Sequence, residues 1–312
     1  MRKIIIESDN ITSPLGSTAA ENFSSLKNSL SGISLHHDKS ISNSPFWGAQ
    51  ISKQELYKAF PHIKGTENFT GFEKLIVASV SDALKKSPLD WTNSKTIFII
   101  SATKGNIDMI EGAACGQELY EKVALHESAK KIATCFNYHG QPVLVSNACI
   151  SGVLAIIIAG RLLVSGQYDC AVVAGADVMS RFIWSGFDSF QALGKGRCMP
   201  FDKSRDGLSL GEAAGTMILR AREEKSHGKD SIYVSGGATS NDANHISGPS
   251  RTGEELCLAI NKAIEQSEIR VRQIDFISAH GTATPFNDEM EAKAFHLAGL
   301  EKTPVNSLKG FF

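Results

Sequence analysis

The chain has 312 residues, of which 42% are hydrophobic, 8% aromatic and 21% charged. This composition is typical of a globular protein with a large core and excludes an intrinsically disordered chain. Thirty-two Lys and Arg residues against 33 Asp and Glu residues give a net charge of −1, which argues against a nucleic-acid-binding surface and a polybasic membrane anchor.

The spacing of apolar residues predicts helices and strands that alternate along the chain. Helices are predicted over 71–86, 117–133, 252–267 and 289–299, and the stretch 147–166 is apolar on nearly every face. Strands are predicted over 95–101, 143–145, 168–176, 213–221, 231–236, 274–279 and 303–307. Strands separated by helices of this length indicate an α/β protein with a largely buried sheet.

Short similarities between two parts of the chain suggest an internal duplication. The predicted helices at 71–86 and 252–267 share a leucine and an alanine at the same spacing. Each leads through a polar link to a strand that ends in Ile-Ser-Ala, at 100–102 and 277–279. Because these matches are short, duplication and coincidence both stay open on this pattern alone. A duplication would leave the second copy about 75 residues short.

The cysteines indicate a reducing compartment. None of the six forms a CxxC pair, so neither a zinc ribbon nor a thioredoxin-like site is supported, and six are too few for a disulfide scaffold. The first ten residues have no signal-peptide features, and the apolar stretch Val153–Gly160 is too short to span a bilayer. We expect a soluble, cytoplasmic protein with reduced thiols.

Cys149 is the first candidate for a reactive residue. It follows a predicted strand in Ser-Asn-Ala-Cys-Ile-Ser-Gly and precedes the apolar helix. Free N–H groups and the positive end of the helix dipole would favour its thiolate, and the same N–H groups could hold an oxyanion. The alternative, a small buried hydrophobic side chain, also fits this position. Cys170 lies within a strand and is expected in the core, whereas Cys115, Cys135, Cys198 and Cys257 lack such a setting.

His280 is the second candidate, because it opens a loop of small residues at the carboxyl end of a predicted strand, where α/β proteins often bind ligands. A loop histidine hydrogen-bonded to its surroundings is the alternative. Asp288 and Glu291, three residues apart, can face one way on the next helix, but the residues alone favour a solvated acidic turn at the start of that helix. The spacing of the residues around Lys309, taken alone, predicts an ordinary surface lysine.

The segment Pro200–Gly215 (PFDKSRDGLSLGEAAG) is rich in turn-forming residues and in charges of both signs. It is not a phosphate-binding loop, because it contains neither GxxxxGK[ST] nor GxGxxG. We expect an ordered loop in which Asp202, Arg205, Asp206 and Glu212 pair with each other.

Together these segments resemble the β-ketoacyl-(acyl carrier protein) synthases, condensing enzymes of the thiolase superfamily. The similarity runs through Thr12–Ile33, SNACISG, Gly186-Phe187, PFDKSRDG, AHGTATPFNDEMEA and VNSLKG, and so covers nearly the whole chain. It implies a five-layered α/β/α/β/α thiolase-like fold from two duplicated halves. Residues 1–225 would form the half that carries Cys149, and residues 226–312 an incomplete half that carries His280 and Lys309.

The resemblance also implies roles for the candidate residues. Cys149 would be the nucleophile that takes the acyl chain, and His280 would stabilise the enolate formed when the malonyl thioester loses CO2. Lys309 matches the active-site lysine, Glu291 the acid that pairs with it and orients it, and Asp288 a supporting acid. The mechanism would be ping-pong, with acylation of Cys149 before the malonyl carrier binds.

Further residues match positions that contact the substrate. Thr282 and Thr284 match threonines that bind the phosphopantetheine arm, and Phe187 matches a phenylalanine near the acyl and pantetheine entrance. Ile150, directly after the nucleophile, could limit the acyl pocket. The resemblance implies an acyl carrier protein as partner, with substrates carried on its phosphopantetheine, and neither a metal nor another cofactor. It also implies a homodimer, or a heterodimer with a related subunit, and no nucleic-acid or membrane partner.

The sequence departs from the family pattern in two places. Leu193-Gly194 stands where the family usually has Leu-Ser. The family pattern continues past the lysine to a Gly-His pair and a glycine-rich gating loop, whereas this sequence ends three residues after Lys309, two short of the second catalytic histidine. We therefore expect a fragment of a longer protein, or a segment supplied separately.

The predicted function is a decarboxylative Claisen condensation between an acyl thioester on Cys149 and malonyl-carrier protein. The pathway, fatty-acid or polyketide and polyene synthesis, stays open, as do chain length and saturation. Alternatives are a non-condensing partner subunit akin to a chain-length factor, which would lack the nucleophile, and a truncated inactive ketosynthase. A cysteine hydrolase is disfavoured because nothing indicates a route for water to the acyl enzyme.

Overall fold

The computed structural model describes residues 2–52, 54, 60, 66–87, 89–113, 116–223, 231–242 and 248–312. The chain forms two compact units. The larger unit comprises Met1–Gly32, Gln50–Ile183 and Gly211–Val234, and the smaller unit comprises Ile33–Ala49, Trp184–Leu210 and Ser235–Phe312. The boundary expected between residues 225 and 226 lies outside the described residues, as does Cys115, so the division into halves stays a prediction.

The strands, in chain order, are β1 (Arg2–Thr12), β2 (Ser34–His36), β3 (Phe46–Ala49), β4 (Thr96–Ser101), β5 (Val143–Val145), β6 (Cys170–Asp177), β7 (Leu210–Gly211), β8 (Ala213–Glu223), β9 (Ile232–Tyr233), β10 (Ile277–Ser278) and β11 (Val305–Asn306). The helices are α1 (Ala19–Lys27), α2 (Gly71–Lys86), α3 (Gln117–Val123), α4 (Leu125–Cys135), α5 (Ser151–Val164), α6 (Arg181–Ser189), α7 (Glu254–Gln266) and α8 (Pro285–Leu297). Short 3-10 helices span Ile107–Ile110, Val271–Gln273 and Leu308–Gly310.

The larger unit is built on a six-stranded sheet in the order β5-β4-β6-β8-β1-β9. Strands β5, β4 and β6 are parallel, and β8, β1 and β9 continue the sheet in antiparallel pairs. The three parallel strands therefore end at one edge, where the chain leaves β5 for the segment that contains Cys149.

Both faces of the sheet are buried at β4, as the apolar run of this strand predicts. Successive side chains of a strand point to opposite faces. Phe98 and Ile100 therefore pack on the α2 side with Phe72, while Ile97 and Ile99 pack on the α5 side. The sheet thus lies between α2 and α5, and the sequence-predicted bounds of α2 are confirmed.

The prediction of one helix over 117–133 is wrong, because the chain breaks at Ala124 into α3 and α4. Ala124 is extended, with φ −62° and ψ 119°. The buried Asn106 amide donates to the Lys122 carbonyl at 2.9 Å. That carbonyl is thus satisfied by a side chain from elsewhere in the larger unit, and the helix need not continue to satisfy it.

In the smaller unit the parallel pair β10-β11 packs with α7 and α8 around Phe295, Ala298 and Leu300. The two strands are shorter than their predicted ranges, 274–279 and 303–307, and β9 is likewise shorter than 231–236. Helix α8 begins at Pro285, four residues before the predicted start, because Pro fits the first turn of a helix and Thr284 occupies the N-cap position.

The structure contains elements that the apolar pattern did not indicate. They are β1, α1, β2, β3, β7 and α6. Strand β1 pairs along its length with β8 and lies next to the two-residue edge strand β9, although its sequence RKIIIESDNIT is largely polar. None of the helices in the described ranges is both long and apolar enough to cross a membrane.

Candidate active site

Cys149 lies in a tight turn between β5 and α5 in the larger unit. Ala148 has a φ of +44°, which few residues other than glycine adopt. The buried Ser151 fixes this turn, because its Oγ accepts from the N–H of Asn147 at 2.7 Å and donates to the carbonyl of Ala148 at 2.7 Å. The thiol is thus presented just before the first turn of α5, whose N–H groups have no partners within the helix.

Among the described cysteines, Cys149 alone is exposed. Cys170 is buried in β6 as expected, and burial raises the pKa of its thiol to about 11. Cys198 is also buried, and burial raises the pKa of its thiol as well. The accessible, strand-to-helix position therefore singles out Cys149 as the candidate nucleophile.

The apolar sequence of α5 predicts a helix that is buried on all sides, but the helix is partly exposed. Ala155, Ala159 and Leu163 pack on the larger sheet, but Val153 is 61% exposed and Val164 is 50% exposed. The predicted pocket residue Ile150 is the N-cap of this helix and is itself 37% exposed.

His280 lies in the smaller unit, in the loop between β10 and α8. Two buried acids of α8 accept from the backbone of this loop. Glu291 accepts from the N–H of His280 at 2.8 Å and of Gly281 at 2.7 Å, and Asp288 accepts from the N–H of Thr282 at 2.9 Å. The interpretation of these acids as a solvated turn is therefore wrong, because Glu291 is 3% and Asp288 2% exposed.

The opposite side of the loop is held by the segment after β11. The Lys309 Nζ donates to the His280 carbonyl at 2.6 Å and lies 3.2 Å from His280 Nδ1. The Ser307 Oγ lies 3.2 Å from the carbonyl oxygens of both His280 and Gly281. Lys309 is half-buried and in contact with the candidate histidine, so it is not the ordinary surface lysine that its spacing alone indicates.

This environment keeps the imidazole of His280 neutral. Burial, and secondly the positive charge of Lys309, lower the pKa of His280 to about 4, while Asp288 opposes the shift. An ammonium group can only donate, so the contact with Lys309 makes Nδ1 the acceptor. The ring proton then resides on Nε2, which can donate a hydrogen bond to a substrate.

The pKa of Glu291 is raised, whereas that of His280 is lowered. Burial raises the pKa of its carboxyl group, and Asp288 adds to the rise, while hydrogen bonds from the backbone of Gly281 and His280 and from the Asn287 side chain lower it. The Asn287 amide donates to Glu291 at 2.9 Å. Glu291 thus holds the main chain of the histidine loop, whereas its predicted orientation of Lys309 stays a prediction.

The two predicted phosphopantetheine-binding threonines adjoin this loop. Thr282 and Thr284 contact each other through their Oγ1 atoms at 2.8 Å, and Thr282 is buried. Phe187, the predicted entrance residue, lies half-buried on α6. The structure therefore groups His280, Lys309, Glu291, Asp288, Thr282 and Thr284 in the smaller unit, while Cys149 and Ile150 belong to the larger unit.

Among the charged residues of the segment 200–215, Arg205 contacts Asp202, since its guanidinium donates to the Asp202 backbone carbonyl at 2.9 Å. Arg205 faces Asp288 at 3.7 Å, and both Asp206 and Glu212 accept from backbone N–H groups. Asp288 also accepts from the N–H of Phe201 at 2.7 Å, although Phe201 has a φ of +61°. The segment is thereby tied to the start of α8 through one buried acid.

The departure from the family at Gly194 has a steric explanation. A Cβ atom at this position would lie 2.8 Å from Asp206 Oδ1 and 3.0 Å from the Gly207 carbonyl oxygen. The Gly194 N–H also donates to the Leu208 carbonyl at 2.9 Å. In this chain, therefore, the loop closes on itself too tightly for a side chain at position 194.

Three residues in contact with the site were not among the predicted ones. Ser307 and Asn287 contact the histidine loop and its acid, and the ring of Phe201 lies against Gly281. Only Asn287 had a local signal, since it lies four residues before Glu291 on one helix. The contacts of Ser307 and Phe201 depend on chain segments that are distant in sequence.

Comparison with known proteins identifies the family of the chain. Residues 1–225 match the model of the β-ketoacyl synthase N-terminal domain, and residues 232–311 match that of the C-terminal domain. A 3-oxoacyl-[acyl-carrier-protein] synthase 2 of Vibrio cholerae is 28% identical over 338 residues, which cover 99% of this chain and 81% of that protein. Erythronolide synthase EryA3 of Saccharopolyspora erythraea is 30% identical over 57% of this chain and 6% of its own length.

Solved structures match the fold of this chain over nearly its whole length. The structure of the ishigamide ketosynthase/chain length factor superposes with a TM-score of 0.87 at 23% identity, covering 99% of this chain and 81% of that one. A β-ketoacyl synthase from Burkholderia phymatum STM815 superposes with a TM-score of 0.83 at 22% identity, covering 99% and 81%. These similarities confirm the predicted thiolase-like α/β fold. With both family models matched along the sequence, the chain belongs to the β-ketoacyl synthase family.

Proposed function

We propose that the protein is a carrier-protein-dependent β-ketoacyl synthase in which Cys149 carries the acyl chain and His280 activates the malonyl unit. The contact between Lys309 and His280 Nδ1 is the observation that carries the proposal, because it leaves a neutral imidazole with its proton on Nε2. Such a donor stabilises a developing enolate without transferring a proton to it.

The first half-reaction acylates Cys149. Its sulfur attacks the carbonyl carbon of an acyl thioester, the new C–S bond forms, and the bond to the phosphopantetheine sulfur breaks. The cysteine proton ends on the departing thiol, so atoms and charge balance. Backbone N–H groups at the start of α5 stabilise the oxyanion of the tetrahedral intermediate.

The second half-reaction forms the carbon–carbon bond. The malonyl thioester loses CO2, and the electron pair of the broken bond moves onto the thioester oxygen, to which His280 Nε2–H donates. The enolate carbon then attacks the acyl carbonyl, and Cys149 leaves as the thiolate. Thr282 and Thr284 bind the phosphopantetheine arm, Phe187 lies at the entrance, and Ile150 limits the acyl pocket. No electrons are exchanged with an oxidant or a reductant, and we propose that no metal or other cofactor takes part.

We further propose an acyl carrier protein as the donor of both substrates, a cytoplasmic location, and a dimer with a second copy or a related subunit. The names of the relatives support the carrier protein, and a ketosynthase/chain length factor structure supports a paired subunit. The presence of Cys149 favours a condensing role over that of a chain-length factor. Fatty-acid and polyketide synthesis both remain within this proposal.

Intact-mass analysis with an acyl-carrier thioester tests the proposal. We expect the wild-type protein to gain the acyl mass, and Cys149→Ala to lose this gain. Cys257→Ala is the matched control, since Cys257 is a partly accessible thiol on α7 and should leave acylation unchanged. Acyl mass retained by Cys149→Ala would refute the nucleophile assignment. A wild-type protein that is never acylated would instead support a chain-length-factor-like or inactive protein.

A further inference from the structure

The backbone of His280 and Gly281 is held by hydrogen bonds on two sides. Glu291 accepts from the two N–H groups, and Ser307 Oγ faces the two carbonyl oxygens at 3.2 Å each. We infer that Ser307 is a positioning residue for His280, and that its hydroxyl keeps the histidine ring in contact with Lys309. The inference builds on the role that the proposed function gives to His280.

The register of the small parallel sheet places Ser307 beside the histidine. Ile277 pairs with Val305 and Ser278 with Asn306, and the N–H of Ala279 extends the ladder by donating to the Asn306 carbonyl at 2.8 Å. The next residue of each strand is His280 on one side and Ser307 on the other. The side chain of Ser307 thus meets the histidine backbone just where regular strand pairing ends.

The loop at Gly281 and the segment that contains Ser307 pack tightly against each other. Gly281 has a φ of +49°, which glycine adopts at little cost. A Cβ at position 281 would lie 2.5 Å from Ser307 Cβ and 3.1 Å from the ring of Phe201. The backbone at Gly281 therefore lies close against Ser307, and the hydroxyl hydrogen bond restrains it from moving away.

The Ser307 hydroxyl affects the imidazole through Lys309. The ammonium donates to the His280 carbonyl and also contacts Nδ1 of the same residue, so its position depends on how that carbonyl is oriented. The Ser307 hydroxyl has one hydrogen and can donate to either carbonyl. Without it, the carbonyl of His280 loses this restraint and can shift together with the bound Lys309 ammonium, so that the contact with Nδ1 lengthens and both neutral tautomers become populated.

Nitrogen-15 NMR of the histidine ring tests this directly. We expect the wild-type protein, Ser307→Thr and the control Ser278→Ala to show His280 protonated at Nε2. Ser278 is an exposed serine on the neighbouring strand β10. Ser307→Ala should show averaged signals of two tautomers. Decarboxylation of malonyl-carrier thioester should fall about two- to tenfold in Ser307→Ala, the cost of one hydrogen bond, while acylation of Cys149 stays within twofold.

The results of these measurements decide separately on the role of Ser307 and on the proposed function. An unchanged tautomer in Ser307→Ala would overturn the inference, as would equal losses of acylation and decarboxylation or a large fall in thermal melting temperature. If Ser307→Thr is too bulky to fold, the comparison of Ser307→Ala with Ser278→Ala decides alone. If the wild-type protein does not decarboxylate malonyl thioesters, the proposed function fails, whereas the NMR comparison still decides the role of Ser307.

Discussion

The Lys309 ammonium group lies 2.6 Å from the backbone carbonyl oxygen of His280 and 3.2 Å from Nδ1 of its ring. One cation therefore fixes both the main chain and the tautomer of the candidate enolate-stabilising histidine. Since that cation also lowers the pKa of the imidazole, its removal has consequences that can be measured directly.

We predict that Lys309→Met raises the pKa of His280 from about 4 toward 6.5, because the neighbouring positive charge is lost while burial remains. Titration of the ring by NMR measures the shift. With malonyl thioester as substrate, the acid limb of the decarboxylation profile should move to higher pH, since the neutral ring is the active form. A profile that does not move would contradict this account.

The same shift predicts the pH dependence of stability. The folded-state pKa of His280 lies below its ordinary value, so between about pH 4 and 6.5 the unfolded chain binds a proton that the folded chain does not. This group's contribution to the free energy of unfolding is full above that window and decreases as the pH falls through it, by at most roughly 1.4 kcal/mol per pH unit. Lys309→Met should flatten this dependence in urea unfolding curves.

His280→Ala should separate the two half-reactions. We expect malonyl decarboxylation to fall by about 10²- to 10³-fold, the usual effect of removing one oxyanion donor, while acylation of Cys149 largely survives. Single-turnover acylation and CO2 release measure the two steps separately. An equal loss of both would mean that His280 acts as the base for the thiol.

Gly281→Ala should destabilise the protein by about 1–3 kcal/mol, because the position combines a φ of +49° with close contacts to Ser307 and Phe201. Gly112→Ala is the matched control. Gly112 also has a positive φ, +75°, but a Cβ there would meet nothing within 4 Å. Thermal melts of both variants should show the larger fall for Gly281→Ala. Equal falls would mean that backbone strain explains the whole effect.

Ser151→Ala should weaken the turn that presents Cys149, because its Oγ bonds both the N–H of Asn147 and the carbonyl of Ala148. We expect acylation to slow by roughly two- to tenfold and stability to fall by about 1 kcal/mol. Ser165→Ala, at the exposed C-terminal end of the same helix, is the control and should leave both nearly unchanged. Unaltered acylation in Ser151→Ala would show that the turn holds without this serine.

Much of the fold was predictable because it depends on local pattern. The bounds of α2 follow from helical spacing and from a capping box formed by Thr70 and Glu73, and β4 follows from its apolar run. The break at Ala124 was not predictable, because the group that ends α3 is the amide of Asn106, from a different part of the chain.

The candidate site was likewise predictable only in part. The residue types and their order around Cys149, His280 and Lys309 were sufficient to recognise the family, since motifs are properties of the sequence itself. Tertiary structure alone decided that Glu291 is buried against the backbone of His280 and that Ser307 closes the other side. The partner of a carboxylate or a hydroxyl is whichever group the packing of the chain brings within about 3 Å. For Ser307, that packing is the pairing of β10 with β11, which joins segments nearly 30 residues apart.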